Sequence, residues 1–192
     1  MSETNRKGFS RIRVILTLVI LTGCFLAAGC TSTPNQLDPS ATSPQIVVNP
    51  GNVRLGVAYL TGTDIVFEGS GFEPEDSVFI SLIGPEDTEI AVADATVKAD
   101  GTFQAKAGAL GKVAGMLRAD VAGKYKEDGS YEQFIVLTQD PIPTGTYKVR
   151  ATGMLSDVTA ETQINVMDPG LTDRFKDWLG KKMGKIVDKR AS

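Results

Sequence analysis

Tyr147-Lys148-Val149-Arg150-Ala151 and, seven residues on, Val158-Thr159-Ala160-Glu161-Thr162-Gln163-Ile164-Asn165-Val166 decide the fold. Both alternate apolar and polar side chains with a period of two. A strand with that pattern buries one face and leaves the other to solvent, which calls for a second apolar layer opposite it. Ser77–Ile83 repeats the pattern through Val78, Ile80 and Leu82. Glu89–Lys98 returns after the Gly84-Pro85-Glu86-Asp87 turn, and Asp100-Gly101 is a hairpin-type turn into Thr102–Lys106. Earlier come Ile46–Val48 and Thr63–Glu68, with Val53, Leu55, Val57 and Tyr59 expected on one face of an extended segment between them. Short strands, frequent turns and no strand–helix alternation predict an all-β antiparallel sandwich over 45–168.

The runs GSGFEPEDSVFISLIGPEDTEI (69–90), DGTF (100–103) and PIPTGTYKVRATG (141–153) resemble the immunoglobulin-like domains of bacterial and archaeal surface proteins. The resemblance covers roughly 45–167 and implies an immunoglobulin-like β-sandwich in which Tyr147 ties a loop to the core. It implies little about ligand. The chain departs from that pattern at 107–139, longer than a compact sandwich needs. Leu110, Val113, Ala114, Leu117 and Val121 match one helical face and predict a short helix over 109–121, weakened by Gly111 and Gly115. Lys124–Ser130 reads as a polar turn and Tyr131–Thr138 as a strand. The insertion is either a recognition element or an elaborated edge of the core.

The N-terminus carries an address. Arg6, Lys7, Arg11 and Arg13 precede VILTLVILTGCFLAAGC, residues 14–30, and no further charge follows until Asp38. Basic, apolar and small-residue regions in that order make an export signal. Leu26-Ala27-Ala28-Gly29-Cys30 resembles the lipobox of bacterial lipoproteins, which implies a signal peptide over 1–29, an acylated Cys30 as the mature N-terminus and a membrane anchor on the extracytoplasmic face of the cell envelope. Cys24, after Leu21-Thr22-Gly23, is the alternative lipidation site. Cys30 is preferred because Thr31-Ser32-Thr33-Pro34 follows it at once, whereas cleavage at Cys24 leaves Phe25-Leu26-Ala27-Ala28 on the mature chain. An uncleaved anchor is disfavoured: 16 uncharged residues, Val14–Gly29, fall short of the ~20 needed to span a bilayer core. Residues 30–44, rich in Ser, Thr and Pro, read as a flexible tether.

The other end carries the second feature with a mechanism. Asp168-Pro169-Gly170 closes the sandwich, and 169–192 reads as a basic amphipathic helix, helical over Leu171–Arg190. Leu171, Phe175, Trp178, Leu179 and Ile186 cluster on one side, with Lys182 among the flanking lysines. Such a stripe lies in a membrane interface, contacts an envelope protein, packs on its own sandwich, or belongs to a disordered tail.

Composition narrows the chemistry. The 192 residues include no histidine, and the only cysteines are Cys24 and Cys30. His-based triads and imidazole metal sites are therefore absent. Residues 31–170 hold nine basic and 19 acidic side chains, whereas 171–192 hold seven basic and three acidic. An acidic body argues against nucleic acid as a partner. The acidic runs Glu73, Glu75, Asp76 and Glu86, Asp87, Glu89, with Asp94 and Asp100, lack calcium-loop spacing, so no metal is assigned. There is no nucleophile elbow, and no cofactor is implied. The expectation is a lipid-anchored binding, adhesion or envelope-structural module without catalysis. The alternative is an accessory or carrier protein that binds a small ligand at 107–139.

Overall fold

The computed structural model describes residues 34–85 and 89–190. The signal stretch with Cys24 and Cys30, Glu86 and Asp87 of the expected turn, and the last two residues of the tail lie outside the described residues. The strands are β1 (Gln45–Asn49), β2 (Asn52–Arg54), β3 (Val66–Ser70), β4 (Ser77–Ile83), β5 (Glu89–Thr96) and β6 (Phe103–Lys106). They continue with β7 (Ala119–Tyr125), β8 (Tyr131–Leu137), β9 (Gly145–Gly153), β10 (Thr159–Met167) and β11 (Ile186–Asp188). Helices α1 (Val57–Gly62) and α2 (Leu171–Lys182), and a π-helical turn at Gly111–Met116, complete the described chain.

Three sheets result, in the orders β1-β3-β6, β2-β10-β9-β4-β5 and β11-β8-β7. The alternating stretches at 147–151 and 158–166 are strands β9 and β10, paired antiparallel with Tyr147 opposite Ile164. Tyr147, Val149, Ala151, Ala160, Ile164 and Val166 are buried and share one core with Ile46, Val48, Phe67, Phe103 and Ala105 of the first sheet. The two facing sheets follow directly from the period-two pattern. Glu161, on the outer face, bridges Lys148 and Arg150 at 3.0 and 2.8 Å. Exposed pairs of this kind add little stability. The Tyr147 hydroxyl donates to the Pro143 carbonyl at 2.8 Å and ties the entry loop to the core. Gly84 lies under that ring, where a Cβ would collide with it.

Four sequence expectations need correction. The segment expected to be extended through Tyr59 is strand only to Arg54 and helix from Val57, because both ends of α1 are held from far away. Asp177 accepts from the Val57 and Ala58 amides at 2.9 and 2.8 Å, and the buried Lys112 ammonium donates to the Thr63 carbonyl at 3.0 Å. The helix expected over 109–121 begins at Ala109 but runs only to Met116, mostly as a π turn. Arg118, at φ 49°, redirects the chain into β7, and Leu110 and Val121 are exposed rather than on a buried face. Gly111 and Gly115 press that turn against β5: a Cβ on Gly111 would sit 2.8 Å from the Val92 Cα.

The helix expected over Leu171–Arg190 ends at Lys182. Gly184, at φ 72°, reverses the chain, and β11 pairs parallel with β8, so Ile186 is a buried strand residue. The insertion and the tail therefore build the third sheet together. Finally, the stretch expected as a flexible tether is fastened from Asn35 onward. Asn35 donates to Asn49 Oδ1 and to the Val48 carbonyl at 2.8 and 2.9 Å, and accepts from Asn49 Nδ2 at 2.9 Å.

Candidate functional site: an outward-facing apolar helix

Helix α2 is inverted relative to an ordinary surface helix. An amphipathic helix on a globular body turns its apolar stripe inward. Here the inward positions are Asp173, Asp177 and Gly180, spaced four and three residues apart and so on one face. Asp173 is 2% exposed and accepts from Arg54 Nε at 2.6 Å and from the Gly170 amide at 3.0 Å, which also caps the first turn. The Arg54 guanidinium stacks over Tyr59, 4.2 Å from the ring centre. Asp177 caps α1 as described above, and its negative charge sits at the positive end of that helix. Two glycines permit the close fit. A Cβ on Gly56 would lie 2.8 Å from Asp173 Cβ, and one on Gly180 would lie 2.7 Å from Ile186 Cδ1.

With its acids turned inward, α2 faces outward with Leu171, Phe175, Trp178 and Leu179, followed by Met183; Leu171 is 85% exposed and Phe175 62%. The Phe175 and Trp178 rings stack with centroids 5.8 Å apart. Lys182 is exposed, and at 3.6 residues per turn it falls in the middle of this apolar arc. Five of the six residues expected at a membrane or partner contact thus share one exposed face, and Ile186 does not. The reading of the tail as a helix packed on its own sandwich through that stripe is overturned, because the packed face is the acidic one.

Several of the tail's cations are paired within the protein. Lys181 and Arg190 both reach Asp188 at 2.7 Å, and Arg190 with Lys181 holds that carboxyl far below the usual carboxylate range. Lys185 binds Glu132 at 2.7 Å. Lys176 and Lys182 make no ion pair among the described residues. Beside α2 lies a cleft of about 580 Å³, floored by Leu55, Leu117, Leu137 and Ile142 with Trp178 at its lip. A second, more open groove of about 940 Å³ runs between β5 and the insertion, past Phe79, Ile90, Leu110 and Arg118.

No cluster of three or more His, Cys, Asp or Glu side chains suited to a metal ion forms among the described residues. Asp76, in one of the acidic runs, is buried and accepts from the Ser77, Leu155 and Ser156 amides and the Ser156 hydroxyl, the last at 2.6 Å. It joins two turns. The residues that place α2, namely Arg54, Asp173 and Asp177, escaped the sequence reading. The available signal was Asp173, Asp177 and Gly180 at i, i+4 and i+7, a polar stripe as regular as the apolar one.

Among the described residues no helix is long and apolar enough to cross a membrane. No family model and no curated protein matches the chain. Among solved structures it is similar to macromomycin, at 15% sequence identity over 65% of this chain and 99% of that one, with a TM-score of 0.34.

Proposed function

We propose that this is a lipid-anchored extracytoplasmic protein whose immunoglobulin-like sandwich is a binding, adhesion or envelope-structural module with no reaction of its own. The observation that carries the reading is the outward apolar face of α2, a surface made for contact and held in place by an acidic inner face. The sheet switch supports the immunoglobulin-like arrangement: β1 pairs in one sheet, and β2, after Asn49-Pro50-Gly51, pairs parallel with the last sandwich strand in the other. The Tyr147 tie to Pro143 supports it too. Intact mass of the protein from a membrane fraction tests the anchor. A diacylglyceryl adduct on a chain beginning at Cys30, lost in Cys30→Ser, is the expected result. A full-length unmodified chain overturns the proposal, and an adduct at Cys24 moves the anchor without removing it.

The groove between β5 and the insertion favours a second reading, an accessory or carrier protein for a small ligand. Thermal-shift measurements with sugars, metal ions and peptides separate the two. Stabilisation by one class that Arg118→Ala abolishes supports the carrier, and silence across the panel favours the contact module.

A further inference from the structure

We infer that the outward face of α2 seats in the interface of an anionic bilayer, giving the protein a second membrane contact beside its lipid; this rests on the lipid-anchor reading above. Three observations select a bilayer over a protein partner. The first is Lys182 in the middle of the apolar arc. At the centre of a protein interface a lysine would be desolvated, and such positions are depleted in lysine. At a bilayer the same side chain lays its stem along the apolar surface and lifts its ammonium to the headgroups.

The second is charge. Both carboxylates of α2, Asp173 and Asp177, are consumed inward, while Lys176 and Lys182 make no ion pair among the described residues. The face offered to a surface is therefore aromatic, aliphatic and cationic, the composition that headgroup-level Trp and Lys share in membrane anchors. The third is reach. Asn35 is fastened to β1, and only five residue steps separate it from Cys30. At about 3.5 Å per residue, a lipid on Cys30 keeps Asn35 within roughly 17 Å of the membrane surface. A body held that close has its surface within reach of the bilayer. A diacylglyceryl anchor holds the chain to the bilayer by itself, and a basic amphipathic helix adds a second contact that fixes how the body lies on it.

Trp178 is the only tryptophan in the chain, so its fluorescence reports this face alone. The test reconstitutes the mature full-length protein from its membrane fraction into vesicles of phosphatidylcholine, with or without phosphatidylglycerol. Flotation reads the lipid anchor, and Trp178 emission with iodide quenching reads α2. On phosphatidylglycerol vesicles Trp178 emission shifts to the blue, iodide quenching is lost and shallow brominated lipids quench it. In Lys176→Gln/Lys182→Gln the seated-to-open ratio of α2 falls about 25-fold, at about five-fold per lysine, with the circular dichroism spectrum unchanged. A chain that floats with Trp178 still open to iodide overturns the inference and leaves the lipid anchor standing. A chain that does not float overturns both. Shielding that is equal on the two lipid compositions and unmoved by the double substitution overturns the anionic requirement.

Discussion

Replacing Asp173 by alanine tests the inverted helix most directly. Alanine keeps the Cβ that packs against Gly56, so the substitution removes the carboxylate and little else. Two hydrogen bonds go with it. The charge-assisted bond from Arg54 is worth about 1.5–3 kcal/mol and the cap on the Gly170 amide about 1 kcal/mol. Arg54 is 37% exposed and recovers part of its loss from water. The expected net destabilisation is about 2–3 kcal/mol. For a body of this size that lowers the melting temperature by about 5–10 °C. The matched control is Leu171→Ser on the outward face, 85% exposed, expected to stay within about 0.5 kcal/mol. Urea denaturation followed by circular dichroism measures both. An ordinary amphipathic helix gives the opposite order, with the leucine costly and the aspartate nearly neutral. That order would refute the packing described here and remove the basis for an outward contact face.

Three further outcomes are expected. Tyr147→Phe, which deletes the donor to the Pro143 carbonyl, costs about 1 kcal/mol, whereas Gly84→Ala, which drives a methyl into the Tyr147 ring, costs about 3 kcal/mol; equal effects would mean that the ring is not seated on Gly84. Lys112→Met keeps the stem but removes the ammonium from the carbonyl end of α1, and is expected to cost about 1–2 kcal/mol by thermal melt. Stability is expected to hold from neutral pH down to about pH 5 and to fall below it. The folded carboxyls of Asp76, Glu132 and Asp188 are held below their ordinary values by Ser156, Lys185 and Arg190 respectively, so the unfolded chain takes up protons first as pH drops through about 4. In Asp76→Asn the loss between pH 7 and pH 3 should be smaller than in the parent, and an identical slope would show that Asp76 contributes nothing to it.

Legibility in the sequence divides along the range of the interactions. β9, β10 and β4 are readable because their burial pattern is written in adjacent residues, and the Tyr147 tie spans only four positions. α1 is unreadable for the opposite reason. It is six residues long, its N-cap Gly56 has no side chain to offer the first amides, and its one local cap is the Thr63 hydroxyl on the Tyr59 carbonyl at 2.7 Å. An isolated helix of that length does not persist in water. Its amide end is satisfied by Asp177, about 120 residues later, and its carbonyl end by Lys112, about 50 residues later. The tail shows the same limit. The stripe Leu171, Phe175, Trp178 and Leu179 is correctly read as one face of a helix, but which face the body takes depends on Arg54 and Gly56, which no local pattern mentions.

Those remote caps also explain why the departures from a plain sandwich hold together. α1 extends from the β2 edge of the sandwich, and its two ends are gripped by the two additions: α2 through Asp177 and the insertion through Lys112. The insertion and the tail then meet again in the third sheet, where β11 lies on β8 and Lys185 binds Glu132. Asp173 and Asp177 thus fasten α2 from its inner face, strand pairing joins the two additions, and the apolar stripe of α2 stays largely outside, from 85% exposed at Leu171 to 41% at Leu179. A helix docked by its greasy side would have nothing left to offer a surface. Docking by carboxylates is what leaves Leu171, Phe175, Trp178 and Leu179 available outside, and it follows that substitutions in the grip, Asp173 or Asp177, should disturb the proposed bilayer contact, read by Trp178 quenching, without changing a residue of the outward face.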